Sequence, residues 1–310
     1  MQRTTTPVRD RLPPSVRAVT TALAQRVGTA LRPQALDRRD RSSRDARRPG
    51  EAATQAFYDR YWPANVPDVR ATRAHIHRLL PTRGVGRALD AGCGTGVCTV
   101  ALAERAAHVT GLDVSAGSLA TARRVAQGAG RGTITFCQGS LLALPFAAAA
   151  FDLVLSWGVV HHTADPERAL DELVRVLRPG GALVLAVYRK TWLTPLHEAI
   201  RRVCRALPRG TRPAIIWSIA ALVRLVELAG ARDRVRPDNA SIAAQVEDWY
   251  FVPEKHFFTI AEMQARLAAR GLTAELLCAK TGRLRSSSNF ILRAVKQPTR
   301  SGNLDSHAPA

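Results

Sequence analysis

The chain has 310 residues, enough for one large domain or two small ones with a real core, and its apolar fraction of 46% is ordinary for a globular protein. Its formal net charge is +20, yet residues 1–50 hold 12 Arg, no Lys and four acids, so much of the excess sits in one terminal stretch. The five cysteines (Cys93, Cys98, Cys137, Cys204, Cys278) are odd in number and form no C-x-x-C pair, which speaks against a disulfide framework or a zinc knuckle and for a reducing compartment.

Residues 1–50 read as a basic, disordered tail. The run from Arg38 to Glu51 has no apolar periodicity, and no 7–15-residue apolar stretch marks a secretory signal. The start is Arg-rich and fairly acid-poor, which leaves an organellar transit peptide open as an alternative. Next comes "FYDRYWPA" (Phe57 to Ala64), which reads as a helical lid from which Tyr58 or Tyr61 reaches a bound ligand. His75 and His77, two apart, do not share a helix face and mark no site.

From about 84 to 188, short apolar runs alternate with helical patterns. "RALDAG", "HVTGLDV", "TITFCQG", "FDLVLSW" and "GALVLAVY" read as strands, with helices expected at Thr95–Arg105 and Ser115–Gly128 and in "DPERALDELVRVLRPGG". That last helix has an Asp N-cap at Asp165 and a stop at Pro179-Gly180. Such alternation implies a doubly wound, mostly parallel α/β sheet. Residues 190–258 interrupt it with two helical patterns and then "VEDWYFVPEKHFF". A final helix and two strands over 259–295 resume it, so the chain reads as one sheet domain (51–295) with a cap insertion, followed by a frayed tail at 296–310.

"LDAGCGTG" (Leu89 to Gly96) is strand, glycine turn and helix start, and Asp113 ends the next strand. A glycine turn with a later acid fits a dinucleotide, whose ribose diol the acid would grip. Asp90 separates the alternatives. A carboxylate at the mouth of the turn repels a pyrophosphate and suits a cofactor carrying an ammonium and a sulfonium.

Through "ALDAGCGTG", "VTGLDVS", "LPFAAAAFDLVLS" and "LRPGGALVLAVY", four motifs in order over about 100 residues, the chain resembles the class I S-adenosylmethionine-dependent methyltransferases. It is most similar to their small-molecule branch of methyltransferase type 11, typified by ubiquinone/menaquinone C-methyltransferases. The resemblance implies a Rossmann-like seven-stranded sheet with the last strand antiparallel, and S-adenosyl-L-methionine as cofactor. It carries over Asp90, Gly92, Gly94 and Gly96 as the methionine-side loop, Asp113 as the ribose clamp and Val114 as an adenine contact. After the third strand, where the family commonly has an acid, this chain has Ser140 and then Leu141, a weaker adenine partner.

Ligands in such sheets sit beyond the carboxyl ends of the strands. Trp157 to His162 follow the fourth strand there, Trp157 towards the cofactor and His161 and His162 towards the acceptor. A metal role for the histidine pair is poor, because no third ligand is spaced nearby. One of them is a base or acceptor contact, or both shape the loop. Tyr188, Asp248, Trp249, Tyr250 and His256 are further acceptor-side candidates; the aromatic insertion either lines the acceptor pocket or pins the cap to the sheet.

"PAIIWSIAALVRLVELAG" (Pro213 to Gly230) is interrupted by Arg224 and Glu227, so it reads as a cap helix or a peripheral membrane contact and not as a span. The expected activity is in-line methyl transfer to a small-molecule acceptor, lipid- or quinone-like, in a cytoplasmic or membrane-peripheral enzyme with no specific nucleic-acid partner. Two alternatives are an RNA or protein methyltransferase, motivated by the charge, and a cofactor binder that has lost transfer.

Overall fold

The computed structural model describes residues 49–64, 66–80, 85–127, 132–230, 239–279 and 289–298. The expected tails therefore lie almost wholly outside the described residues. Two helices lead in, α1 (Pro49–Ala64) and α2 (Val69–Leu79). The core then runs β1 (Val85–Ala91), α3 (Val97–Ala103), β2 (Ala106–Asp113), α4 (Ala116–Val125), β3 (Thr133–Gln138), β4 (Phe151–Trp157), α5 (Pro166–Val176) and β5 (Leu177–Tyr188). The cap comprises α6 (Thr194–Ala206), α7 (Arg212–Gly230) and α8 (Asn239–Phe251), and the chain closes with α9 (Ile260–Ala268), β6 (Leu272–Ala279) and β7 (Asn289–Lys296).

The seven strands form one sheet in the order β3-β2-β1-β4-β5-β7-β6, parallel except for β7, which runs antiparallel to both β5 and β6. This is the architecture expected from the alternation and the resemblance. The inner strands read as continuous apolar runs because helices cover both faces. Leu89, Leu153, Leu155 and Val184 are fully buried, and Ile76 of α2 packs into one core with Leu153, Leu155 and Val184.

Local signals set the helix starts. Ser115 accepts from the Ser118 amide, Asp165 accepts from the Arg168 amide, and Thr259 with Glu262 forms a capping box. The stop of α5 differs from expectation. The helix ends at Val176, and β5 already begins at Leu177, running through Pro179-Gly180-Gly181. Gly180 at φ +73° lets the strand bulge there, and its register against β4 jumps between Phe151 and Leu153.

The cap differs too: its described residues form three α-helices, not two. "VEDWYF", set apart from the helical patterns in the sequence, is the end of α8, where Val246, Trp249, Tyr250 and Phe251 bury themselves in a second apolar core with Cys204 of α6, Ala220 of α7 and Phe57 of α1. The mixed pattern of that segment reflects contact with several neighbours at once.

Candidate functional site

The glycine turn after β1 is shaped by close approach. Gly92 has φ +85°, and a Cβ there would sit 2.4 Å from Val159 on the loop after β4; Gly96 has φ +78° and would meet Ala122 of α4 at 2.8 Å. Only glycine fits both requirements. The Gly92 and Cys93 amides donate to the Leu112 carbonyl at the end of β2. The turn is thus tied to the strand that carries Asp113.

Asp113 is buried, and its two carboxylate oxygens accept from the amides of Gly94 (2.8 Å) and Ser115 (2.9 Å). Burial raises its pKa, offset in part by those amides. Asp90 is 1% exposed. One of its oxygens accepts from the Thr99 hydroxyl at 2.6 Å; the other, Oδ1, is buried without a hydrogen-bond partner. Burial pushes Asp90 up to about 7, with Thr99 opposing and Asp113 adding to the rise. A buried carboxylate oxygen with no donor is costly on its own. A cationic ligand would satisfy it.

Beyond the carboxyl ends of β1, β2 and β4 opens a partly enclosed cavity. Its floor is Gly92, Asp113, Val114 and the Ser140–Leu142 turn; one wall is Trp157, Val159 and His162; the other is Glu51, Thr54, Tyr58 and Trp62 of α1. Two arginines of α5 hold the Ser140–Leu144 segment: Arg168 donates to the Leu142 carbonyl (2.6 Å) and Arg175 to that of Leu144 (3.0 Å). Asp59 pins α1, accepting from the Ser115 hydroxyl at 2.6 Å.

The histidine pair divides its labour. His162 lines the cavity. Its Nδ1 pairs with the Glu254 carbonyl at 2.9 Å, which makes Nδ1 the protonated nitrogen and leaves the Nε2 lone pair open, 3.8 Å from Asp248. Burial pushes its pKa down to about 4, so the ring is neutral near pH 7. His161 does not line the cavity. Neither of its ring nitrogens has a hydrogen-bond partner, its ring lies 3.9 Å from that of Tyr188, and burial holds it well below the usual histidine range.

Of the other acceptor-side candidates, none lines the cavity. Tyr188 donates to Asp248 at 2.8 Å, Tyr250 pairs with His197 at 3.1 Å, and the His256 ring pairs with the Thr163 carbonyl at 3.1 Å. Tyr58 does line the cavity and donates to the other Asp248 oxygen at 3.2 Å. Burial alone would raise Asp248; His162, Lys255 and the two phenols outweigh it and hold the carboxyl low. Lys255 lies over the rings of Trp249 (3.9 Å) and Tyr188 (4.3 Å), and burial pushes it down to about 7.

The aromatic insertion therefore pins the cap to the sheet. The His256 amide donates to the His161 carbonyl, the Lys190 amide donates to the Phe258 carbonyl, and the Phe258 amide donates to the Tyr188 carbonyl at the end of β5. Sequence reasoning did not pick out Glu51, Thr54, Trp62, Leu142 or Val159; the aromatic density of "FYDRYWPA" was the signal for α1. Among the described residues, no group of three His, Cys, Asp or Glu side chains could hold a metal ion.

A methyltransferase domain model matches residues 89–185. A demethylmenaquinone methyltransferase of Mycobacterium marinum is 37% identical over 193 residues, covering 61% of this chain and 72% of the relative. Another, of Clavibacter sepedonicus, is 30% identical over 187 residues, covering 58% and 74%. The chain belongs to the class I S-adenosylmethionine-dependent methyltransferases. The methyltransferase is an enzyme whose cofactor is S-adenosylmethionine, and the partnerless Asp90 oxygen at the glycine turn fits that cofactor's positive charge. In fold it is similar to the YcgJ protein of Bacillus subtilis, with a TM-score of 0.52 at 16% identity over 74% of this chain and 99% of that one.

Proposed function

We propose that the enzyme transfers the cofactor's methyl group in line to an apolar small molecule with an ionisable enol or phenol, such as a quinol-like ring. The carrying observation is the cavity itself: Asp113 lines it, with Asp90 buried just behind the glycine turn, and a neutral His162 lines it beside Tyr58, Trp62 and Trp157. Asp90 and the Gly92–Gly96 turn would take the ammonium and carboxylate of the methionine end. Asp113 has lone pairs left beyond its two amide bonds, enough for a ribose diol. Val114, Ser140, Leu141 and Trp157 would frame the adenine, with Trp62 and Tyr58 closing from α1.

Bound, the cofactor supplies a methyl group on a sulfonium, already activated for displacement. The chain's part is alignment and exclusion of water. His162 Nε2 is the open base on the wall, and Asp248 would stabilise the imidazolium formed when it takes the acceptor's proton. An apolar acceptor accords with the relatives' quinone-ring substrates as their names give them and with Val159 and Leu142 on the lining.

Calorimetry with S-adenosylmethionine and its demethylated product should show binding, with none for NADH. Methyl-labelled cofactor incubated with a cell extract should then label the organic-soluble fraction. Label on RNA or protein would replace the acceptor reading, and label nowhere would leave a binder without transfer.

A further inference from the structure

The outer face of the cap is unlike the rest of the surface. Seven of the ten large apolar side chains that are exposed among the described residues lie between 192 and 225. They include Trp192, 86% exposed, Trp217, 53% exposed, and Leu196, Val203, Leu222 and Leu225. Along α6 the buried positions Thr194, Arg201 and Cys204 form the inward stripe, which leaves Leu196 and Val203, seven residues apart, together on the outside. Apolar surface gathered in this way marks a docking face.

Its charge says on what. Residues 189–212 contain seven basic side chains and one acid. Arg201 and Arg205 turn to the carbonyls of Pro253 and Val252, while Arg202 and Arg209 are exposed in the same stretch of chain as the apolar residues. A protein partner's surface core is depleted of charge. Here exposed charge and exposed apolar side chains alternate along the chain, and the two tryptophans have the amphipathic rings that settle at the headgroup level.

We propose that the outer face of α6, α7 and the turn before them docks on an anionic lipid bilayer. The bilayer would take the tryptophans and leucines into its headgroup boundary and hold the arginines against its phosphates. No helix among the described residues is long and apolar enough to cross a membrane, so the contact is peripheral. The inner side of the same cap carries Trp249 and Tyr250, which pack with Phe57 of the cavity-lining helix α1, so docking places the cap between the lipid and the cavity. The proposal does not depend on the acceptor's identity, and turnover of a water-soluble acceptor would leave it standing.

The test is co-sedimentation of the full chain with vesicles of phosphatidylcholine alone and of phosphatidylcholine with about one third phosphatidylglycerol. Binding to the anionic vesicles that weakens with salt is expected, with little to the neutral ones. Replacing Trp192 and Trp217 together by Ser should weaken it about tenfold or more, and R202Q with R209Q about fivefold per charge, both without changing cofactor affinity. No vesicle binding overturns the proposal, as does binding that neither pair of substitutions alters, which would place the contact in the Arg-rich residues 1–50. Self-association, or RNA binding, that the tryptophan substitutions abolish would assign the face to a second copy or to nucleic acid instead.

Discussion

Asp90 holds the clearest link between stability and function. Its ordinary pKa is 3.8, and burial in the native state lifts it to about 7. Between those values the native state keeps a proton that the unfolded chain has released, so stability falls as pH rises through that window. At about 1.4 kcal/mol per unit, the destabilisation is about 2 kcal/mol at about pH 5.5 and about 4 kcal/mol from about pH 8 upward. Asp90→Asn removes it. The new amide can still accept from Thr99 but leaves an N–H group where Oδ1 had no partner, a pH-independent loss of about 1–3 kcal/mol.

The difference between the two pH values cancels that loss. Asp90→Asn should therefore gain about 2 kcal/mol more, relative to wild type, at about pH 8 than at about pH 5.5. That amounts to about 4–8 °C in relative Tm for a domain of this size. The same variant should bind S-adenosylmethionine about 10- to 100-fold more weakly by calorimetry, for want of a charge-assisted bond. An identical Tm shift at both pH values, or undiminished cofactor binding, would refute the reasoning.

Asp113→Ala frees the Gly94 and Ser115 amides and should raise the Kd for the demethylated cofactor at least about tenfold. Gly92→Ala combines a left-handed backbone with the clash against Val159, and should lower the thermal midpoint and abolish cofactor binding together, a coupling that differential scanning with added cofactor would show. His162→Gln should keep cofactor affinity and lower kcat about 100-fold, and the acid limb of the wild-type rate should fall near pH 4 and not near 6.5. His161→Gln, away from the cavity, should act on stability and leave kcat nearly intact; equal kcat losses in the two variants would sink the division of roles. Asp248→Ala strands Lys255 and two phenols and should cost about 3–5 kcal/mol in a urea titration.

The alternating apolar runs determined the sheet, because an inner parallel strand must be apolar on both faces and its crossover helix must alternate with it. The glycine spacing with Asp90 and Asp113 determined the turn after β1 in the same way: a tight turn and a buried acid are local demands, written in neighbouring residues. Less local features were decided only in three dimensions. "SWGVVHHTADP" could not say which histidine faces the cavity, because that depends on the Glu254 carbonyl, 92 residues away, fixing one ring and on Tyr188 covering the other. Likewise "VEDWYF" became helix because Phe57, Cys204 and Ala220, brought from three distant segments, built a core for its aromatics. The stop of α5 moved for a related reason, since pairing with β4 drew Leu177 into the sheet before its own Pro-Gly signal. Short-range chemistry is legible in order along the chain, whereas the choice of which side chain meets the cavity rests on partners the fold supplies.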